Sequence, residues 1–312
     1  MKILVLGAGA VGGYFGGRLA QAGADVSFLV RPQRAELLAK SGLRISSKAG
    51  GDLTLAPKCV LAAEVKPDYE IVMFTAKAYD LPSAIDAVAP ALSGGRGHVL
   101  PLLNGMSHLD QLDERFGRER VLGGVAYIAA TLAPDGVIRH LNDFHRIAFG
   151  PRHAAQNSVC DAFAAAGAGA KSDIKRSDAI EQAMWDKWVL LATLAGTTCL
   201  MRAPIGDIAA TGSGAAITLA LLGECAAVAQ AEGFATPDAV RANYAGMLTQ
   251  KGSAFTASML RDVESGGQAE GDHILGAMLA AARKHRLATP VLEIAATHLE
   301  AYAARRKREK TA

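Results

Sequence analysis

The chain has 312 residues, half of them hydrophobic and 20% charged, which is enough apolar material for two packed domains and argues against disorder. A formal net charge of +3 is too small to indicate a nucleic-acid partner. The uncharged stretches 188–201 and 208–223 are shorter than the roughly 20 residues of a membrane span. Four scattered cysteines without a Cys-x-x-Cys pair indicate neither a zinc site nor a disulfide framework. We therefore expect a cytoplasmic protein that lacks metal, membrane and nucleic-acid partners.

The first half of the chain alternates short β-branched segments with helical patterns. The predicted strands are 3–6, 25–30, 70–75 and 98–100, and the predicted helices are 11–22, 32–40 and 84–92. Such alternation is typical of an α/β fold with a doubly wound parallel sheet. Segments 125–131 and 137–141 flank an Ala-Pro-Asp-Gly turn and are predicted to form a hairpin that extends this sheet, followed by a helix over 155–166.

Helical patterns replace the strand patterns from about residue 177. The predicted helices are 179–200, 214–232, 238–248, 257–264, 269–286 and 290–304. We predict a nucleotide-binding domain over 1–178 and an all-helical substrate domain over 179–312. The basic run at 305–310 is interpreted as a solvated last helical turn.

A glycine-rich turn, G-A-G-A-V-G over residues 7–12, lies between the first strand and the first helix. The first glycine suits a tight turn, the second a close approach to a pyrophosphate, and the third close packing of helix on strand. The helix N-terminus offers N–H donors and partial positive charge to phosphates. Gly7, Gly9, Ala10, Val11 and Gly12 are therefore predicted to bind a dinucleotide in a Rossmann-type domain.

The end of the second predicted strand indicates which dinucleotide is bound. NAD-preferring sites usually have an acidic residue there, which binds the ribose 2′-hydroxyl. This chain instead has Arg31, which can pair with a 2′-phosphate, and Arg34 stands close enough in sequence to assist. The sequence therefore predicts NADP(H) as the cofactor.

Further motifs, taken with this turn, resemble the ketopantoate reductase family, also called 2-dehydropantoate 2-reductases. They are, in order, Thr75-Ala76-Lys77, Asn104-Gly105-Met106, Trp185-Asp186-Lys187, Ser258-Met259-Leu260-Arg261-Asp262 and Glu270. The resemblance covers nearly the whole chain. It implies an NADPH-dependent reductase that converts a small 2-oxo acid, 2-dehydropantoate, to pantoate in pantothenate biosynthesis.

The resemblance also implies residue roles. Lys187 matches the catalytic lysine, the general acid for the oxygen that hydride addition makes negative. Asn104 matches an asparagine beside the nicotinamide and the substrate oxygen, and Glu270 a glutamate that holds the substrate and the lysine. Lys77 would lie near the cofactor, and Ser258 would bind the substrate carboxylate. A purely structural interpretation stays open for each of these residues. Lys187 and Lys77 could be surface lysines, and Asn104 a turn residue. Ser258 could cap a helix, and Glu270 could be an acidic residue of a first helical turn.

The chain departs from the family where asparagines usually bind the polar groups of the substrate. Leu191 and Ala195 stand one and two helical turns after Lys187, and Phe255 stands three residues before Ser258. These positions would line an apolar substrate pocket, in which Thr198 could replace part of the lost polarity. The alternatives are therefore a reductase of a more apolar 2-oxo acid or a non-catalytic NADP-binding protein.

A 6-phosphogluconate- or 3-hydroxyacid-type dehydrogenase would share the architecture, but the Ser258 and Glu270 motifs argue against it. A homodimer through the C-terminal helices and a monomer are both compatible with the sequence.

Overall fold

The computed structural model describes residues 1–311, which form two compact units. The first unit consists of Met1–Leu103 and His108–Glu181, and the second consists of Asn104–Ser107 and the chain from Gln182 onward. The four-residue segment Asn104–Ser107 (the NGMS loop) therefore belongs to the second unit, although the chain on both sides of it belongs to the first.

Two sheets contain the strands of the first unit. The strands are β1 (Lys2–Leu6), β2 (Asp25–Leu29), β3 (Leu43–Ser46), β4 (Leu53–Leu55), β5 (Lys58–Val60), β6 (Ile71–Phe74), β7 (His98–Pro101), β8 (Gly123–Leu132), β9 (Val137–Gly150) and β10 (Asp173–Arg176). The helices of this unit are α1 (Ala10–Gln21), α2 (Pro32–Ser41), α3 (Leu81–Leu92), α4 (His108–Phe116) and α5 (Asn157–Gly167).

The first sheet is parallel, with strand order β5-β2-β1-β6-β7. In its centre Leu4 lies opposite Ser27 on one side and Val72 on the other. All four residues of β6 are buried, as expected for a strand of a parallel sheet that is covered on both faces. The predicted doubly wound sheet is confirmed. Because parallel strands end at a common edge, the residues that follow β1, β2 and β6 lie along that edge.

The predicted β8–β9 hairpin forms, but the prediction that it extends the parallel sheet is wrong. It belongs to a second sheet, in which β9 pairs with β3 and β10 in parallel and β3 pairs with β4. Strands β3, β4 and β10 were not predicted, and each is only three or four residues long. Because these strands were not predicted, the hairpin was assigned to the only sheet that the sequence indicated.

Helix α1 packs between the two sheets. A Cβ at Gly16 would meet Phe28 of β2, and a Cβ at Gly17 would meet Ile45 of β3, so both glycines allow close approach. Tyr14 and Phe15 are fully buried on the same helix. This packing fixes the N-terminus of α1 next to the end of β1.

The second unit is all-helical, as predicted. Its elements are α6 (Ile180–Met201), α7 (Ile205–Ala210), α8 (Gly214–Ala231), α9 (Asp238–Leu248), α10 (Ser258–Glu264), a π-helical turn (Asp272–Gly276), α11 (Ala277–Lys284) and α12 (Pro290–Thr311). The π-helical turn and α11 replace the single helix predicted over 269–286, and α7 was not predicted. By length and composition α8 is long and apolar enough to cross a membrane, and 44% of it is buried within the structure.

Candidate active site

The glycine-rich turn has the geometry of a pyrophosphate cradle. Gly9 caps α1 in an extended conformation without a side-chain cap, and the first turn of α1 contains no acidic residue. A Cβ placed on Gly7 or Gly9 would meet no atom within 4 Å, so the space beside the backbone is open. The uncapped N–H groups and this open space fit the phosphates of a dinucleotide.

At Gly12, by contrast, there is no space for a side chain, because helix and strand meet at its Cα. A Cβ there would collide with Thr75 Oγ1 and would lie 2.6 Å from the carbonyl oxygen of Gly7. Thr75 is itself held in place, since its hydroxyl donates to Leu6 O over 2.6 Å. A backbone oxygen and a bonded hydroxyl cannot give way cheaply, so the turn requires glycine at this position.

The substitution Gly12→Ala is expected to weaken dinucleotide binding at least tenfold and to lower the free energy of unfolding by about 1–3 kcal/mol, the usual cost of overpacking. Fluorescence titration with NADPH and thermal unfolding measure the two effects. Gly223→Ala is the matched control, because its Cβ would meet nothing within 4 Å on the exposed face of α8. Unchanged binding and stability in Gly12→Ala would contradict this account.

Cationic side chains surround the edge of the parallel sheet where the turn lies. Arg31 follows β2 and caps α2; its side chain is 85% exposed and its Nη2 lies 4.0 Å from Asp80 Oδ2. Arg34 donates from Nη2 to Ala8 O in the turn over 3.0 Å, and burial lowers its pKa from the usual range. Lys77 stands exposed after β6, at the start of a short 3₁₀ turn. Arg31, Arg34 and Lys77 therefore lie along the edge that also carries the glycine-rich turn, whereas Asn104, which was also predicted to contact the cofactor, belongs to the second unit.

In the second unit, Lys187 and Asn104 form a hydrogen bond between α6 and the NGMS loop. Lys187 Nζ donates to Asn104 Oδ1 over 2.9 Å. The neighbours of Lys187 on α6 include Trp188 and Val189, which are 3% and 0% exposed, and Lys187 itself is partly buried. Desolvation lowers the pKa of its ammonium to about 8, although the carboxylate of Glu270 acts in the opposite direction. An amine with this pKa exchanges protons readily near neutral pH.

The NGMS loop is held by His273 of the π-helical turn. His273 Nε2 lies 2.7 Å from Asn104 O, and its Nδ1 lies 2.8 Å from Ser107 Oγ. Gly105 adopts φ +78, and a Cβ there would come within 3.3 Å of His273, so glycine both permits the backbone angle and makes room for the ring. Neither His273 nor Ser107 was predicted as a site residue, because neither belongs to a recognisable motif.

The remaining predicted substrate residues differ in their surroundings. Ser258 is exposed at the start of α10 and takes no part in the hydrogen bonds of the NGMS loop, whereas Glu270 is partly buried just before the π-helical turn. Leu191 and Phe255 are partly buried, and Ala195 is 3% exposed within the core.

Thr198, the expected polar replacement, is fully buried, and its hydroxyl donates to Leu194 O of its own helix over 2.7 Å. Its hydrogen is therefore already bonded to the helix backbone. Within residues 1–311, no three His, Cys, Asp or Glu side chains come together as metal ligands.

Comparison with known proteins finds relatives that match the whole length of the chain. The chain is 38% identical over 304 residues to an uncharacterized oxidoreductase, YkpB, of Bacillus subtilis, covering 97% of this chain and 99% of that protein. Among solved structures, a PanE/ApbA family ketopantoate reductase from Ralstonia eutropha superposes with a TM-score of 0.87 at 27% identity, over 98% of this chain and all of that one. A D-mandelate dehydrogenase solved with NADH and anilino(oxo)acetate has the same TM-score and coverage at 21% identity, which shows a common fold.

Family models cover both units. The model described as ketopantoate reductase PanE/ApbA matches residues 3–154, and its C-terminal counterpart matches residues 179–303. Together they span most of the chain, including the glycine-rich turn, the NGMS loop and Lys187. The chain is therefore an oxidoreductase of the ketopantoate reductase family.

Proposed function

We propose that this chain is a cytoplasmic enzyme that uses NADPH to reduce a 2-oxo acid to the corresponding 2-hydroxy acid. The observation that carries the proposal is the partly buried pair of Lys187 and Asn104, in which desolvation brings the pKa of an ammonium to about 8. Reduction of a ketone requires a proton donor for the oxygen, and this ammonium is suited to that task.

The proposed chemistry assigns each side chain a task. When bound, the reduced nicotinamide supplies the hydride to the keto carbon. Lys187 donates a proton from Nζ to the substrate oxygen, which becomes a hydroxyl, and solvent then reprotonates the amine. Asn104 Oδ1 accepts another N–H of the ammonium and so orients it. Glu270 favours the charged form of Lys187, and Ser258 is the proposed donor to the substrate carboxylate.

The choice of NADPH rests on the edge of the parallel sheet. Arg31 and Arg34 are cations at and just beyond the end of β2, and Arg34 is bonded to the glycine-rich turn. Guanidinium groups bind phosphate oxygens in paired, charge-assisted hydrogen bonds. A 2′-phosphate would therefore be stabilised here.

2-Dehydropantoate is the first candidate substrate, because the chain belongs to the ketopantoate reductase family; its product would be the pantoate of pantothenate biosynthesis. A second candidate class, 2-oxo acids with apolar or aromatic side chains, is favoured by Leu191, Ala195 and Phe255. These residues offer no partner to a substrate hydroxyl at positions where the family has asparagines. An unpaired buried hydroxyl costs about 1–3 kcal/mol.

A substrate panel separates the two candidates. If the apolar class is the true substrate class, the wild-type kcat/KM should be about tenfold higher for apolar or aromatic 2-oxo acids than for 2-dehydropantoate, which corresponds to one lost hydrogen bond. The double variant Leu191→Asn, Phe255→Asn is expected to lower the ratio of kcat/KM for apolar 2-oxo acids to kcat/KM for 2-dehydropantoate. Both side chains are only partly buried, so asparagine can replace them. Ala195 is left unchanged, since an asparagine would overpack the core.

Leu219→Asn on α8 makes the same chemical change at a 42% exposed position and should leave the ratio as it was. A strong wild-type preference for 2-dehydropantoate would contradict the apolar class and support the first candidate. Absence of turnover across the whole panel, with NADPH binding intact, would contradict the enzyme itself and favour a non-catalytic NADP-binding protein.

A further inference from the structure

The π-helical turn, Asp272–Gly276, is hydrogen-bonded to Asn104 and to Trp188, the residue that follows Lys187. His273 contacts Asn104 O, while the next residue, Ile274, accepts a hydrogen bond on its carbonyl oxygen from Trp188 Nε1 over 3.0 Å. Trp188 directly follows Lys187 on α6. Two consecutive residues of one turn therefore fix the acceptor loop and the donor helix at the same time.

The bonding of His273 determines its protonation. A carbonyl oxygen can only accept, so Nε2 carries the proton that is donated to Asn104 O. In a neutral ring Nδ1 is then an acceptor and takes the hydroxyl hydrogen of Ser107. Burial lowers the pKa of His273, although the hydrogen bond to Asn104 O and the carboxylates of Glu270 and Asp272 act in the opposite direction; the net lowering agrees with a neutral ring.

A neutral imidazole suits this place because Asn104 is shared. Its main-chain oxygen receives the His273 proton and its side-chain oxygen receives the Lys187 ammonium. A protonated ring would place a second positive charge beside Asn104, which already binds the Lys187 ammonium. The wide π-helical turn, a rare element that is frequent at functional sites, brings this ring to the loop.

We propose that His273 is a positioning residue, which clamps the NGMS loop to the π-helical turn and so sets Asn104 Oδ1 against Lys187 Nζ for proton donation. The clamp itself is independent of the substrate; only its catalytic consequence rests on the proposed function.

Matched variants separate the two hydrogen bonds of the ring. In His273→Gln the amide nitrogen lies about as far along the side chain as Nε2 and can still donate to Asn104 O. In His273→Asn the amide oxygen replaces Nδ1, so the bond from Ser107 is kept and the bond to Asn104 is lost. His273→Phe keeps the ring shape and loses both bonds. His285→Phe, at an imidazole bonded to Glu232 in the same unit, is the control for the His-to-Phe change.

The activity arm compares kcat with KM. We expect His273→Phe and His273→Asn to lower kcat about tenfold to a hundredfold with little change in the substrate KM, as for the loss of one or two hydrogen bonds. His273→Gln should retain most of the activity, and His285→Phe should retain all of it. Equal activity of the Gln and Asn variants would overturn the proposal.

The second arm needs neither substrate nor cofactor. Nitrogen-15 NMR of the free protein should show His273 as the neutral Nε2–H tautomer, assigned by the signal lost in His273→Gln. Titration of the labelled lysine side chain should show a lower pKa for Lys187 in His273→Phe, because a displaced Asn104 no longer accepts from the charged form. A protonated His273 at neutral pH, or an unchanged Lys187 titration, would overturn the clamp even in an active enzyme. A wild type that shows both signals but turns over no 2-oxo acid would instead refute the proposed function.

Discussion

Lys187→Ala is expected to lower kcat for 2-oxo acid reduction by about a hundredfold to ten-thousandfold, the usual contribution of a general acid. The variant removes the ammonium that Asn104 orients, so water must protonate the substrate oxygen. NADPH affinity should persist, because the glycine-rich turn lies in the other unit. Rates of NADPH oxidation and a fluorescence titration measure the two quantities.

The pH profile provides a sharper test of the same residue. A general acid must be protonated, so the rate of reduction should fall as the pH rises through about 8, the lowered pKa of Lys187. The Glu270 carboxylate raises this pKa, and Glu270→Gln should therefore move the fall in rate to lower pH. Lys187→Arg should abolish this limb altogether, because a guanidinium stays protonated throughout.

Lys284→Ala is the control for the loss of a lysine, since this side chain is 65% exposed and paired with Glu232 in the same unit. Its kcat and pH profile should match those of the wild type. If Lys187→Ala kept wild-type kcat, or if the basic limb stayed in Lys187→Arg, another group would be the proton donor.

Local patterns explain why much of the fold could be predicted from sequence. In the first unit the buried strands β1, β2 and β6 alternate with helices, and this alternation, together with the glycine-rich turn, is compatible with few sheet topologies. Several helices of the second unit lie in long segments rich in alanine and leucine, which favour a helical conformation. Strands β3, β4 and β10 were missed because they span four residues or fewer. Strands β3 and β10 are stabilised by pairing with β9, and β4 by pairing with β3, and no local pattern identifies these partners.

The candidate site, too, could be predicted only in part. Lys187 and Asn104 stand in recognisable motifs, but their hydrogen bond joins residues 83 positions apart. His273 is further still from Asn104, at 169 positions, and its helix has ordinary apolar periodicity with no signal for a π-helical turn. Nor does the sequence show that the NGMS loop leaves the first unit, because the loop follows β7 and precedes α4 without any change in composition. Tertiary packing, which no local pattern encodes, decides both features.

Arg31→Glu is expected to raise the KM for NADPH about tenfold to a hundredfold, while the KM for NADH stays the same or falls. Hydrogen bonds to a charged group contribute about 1.5–3 kcal/mol, and the glutamate adds repulsion from the 2′-phosphate. A carboxylate after β2 could instead accept the ribose 2′-hydroxyl of NADH. The ratio of kcat/KM for the two cofactors, at a fixed concentration of 2-oxo acid, measures the change.

Salt dependence and a matched control decide whether Arg31 acts directly. Because its side chain is 85% exposed, its attraction to phosphate is screened, and the wild-type KM for NADPH should rise with ionic strength. That dependence should weaken in Arg31→Glu.

Arg96→Glu makes the same change of charge on the same unit, but before β7 and so at the opposite edge of the parallel sheet. If both variants changed the cofactor ratio equally, the net charge of the unit rather than a contact with Arg31 would select the cofactor. If neither changed it, the 2′-phosphate would have to be held by Arg34, whose bond to Ala8 already places it beside the turn.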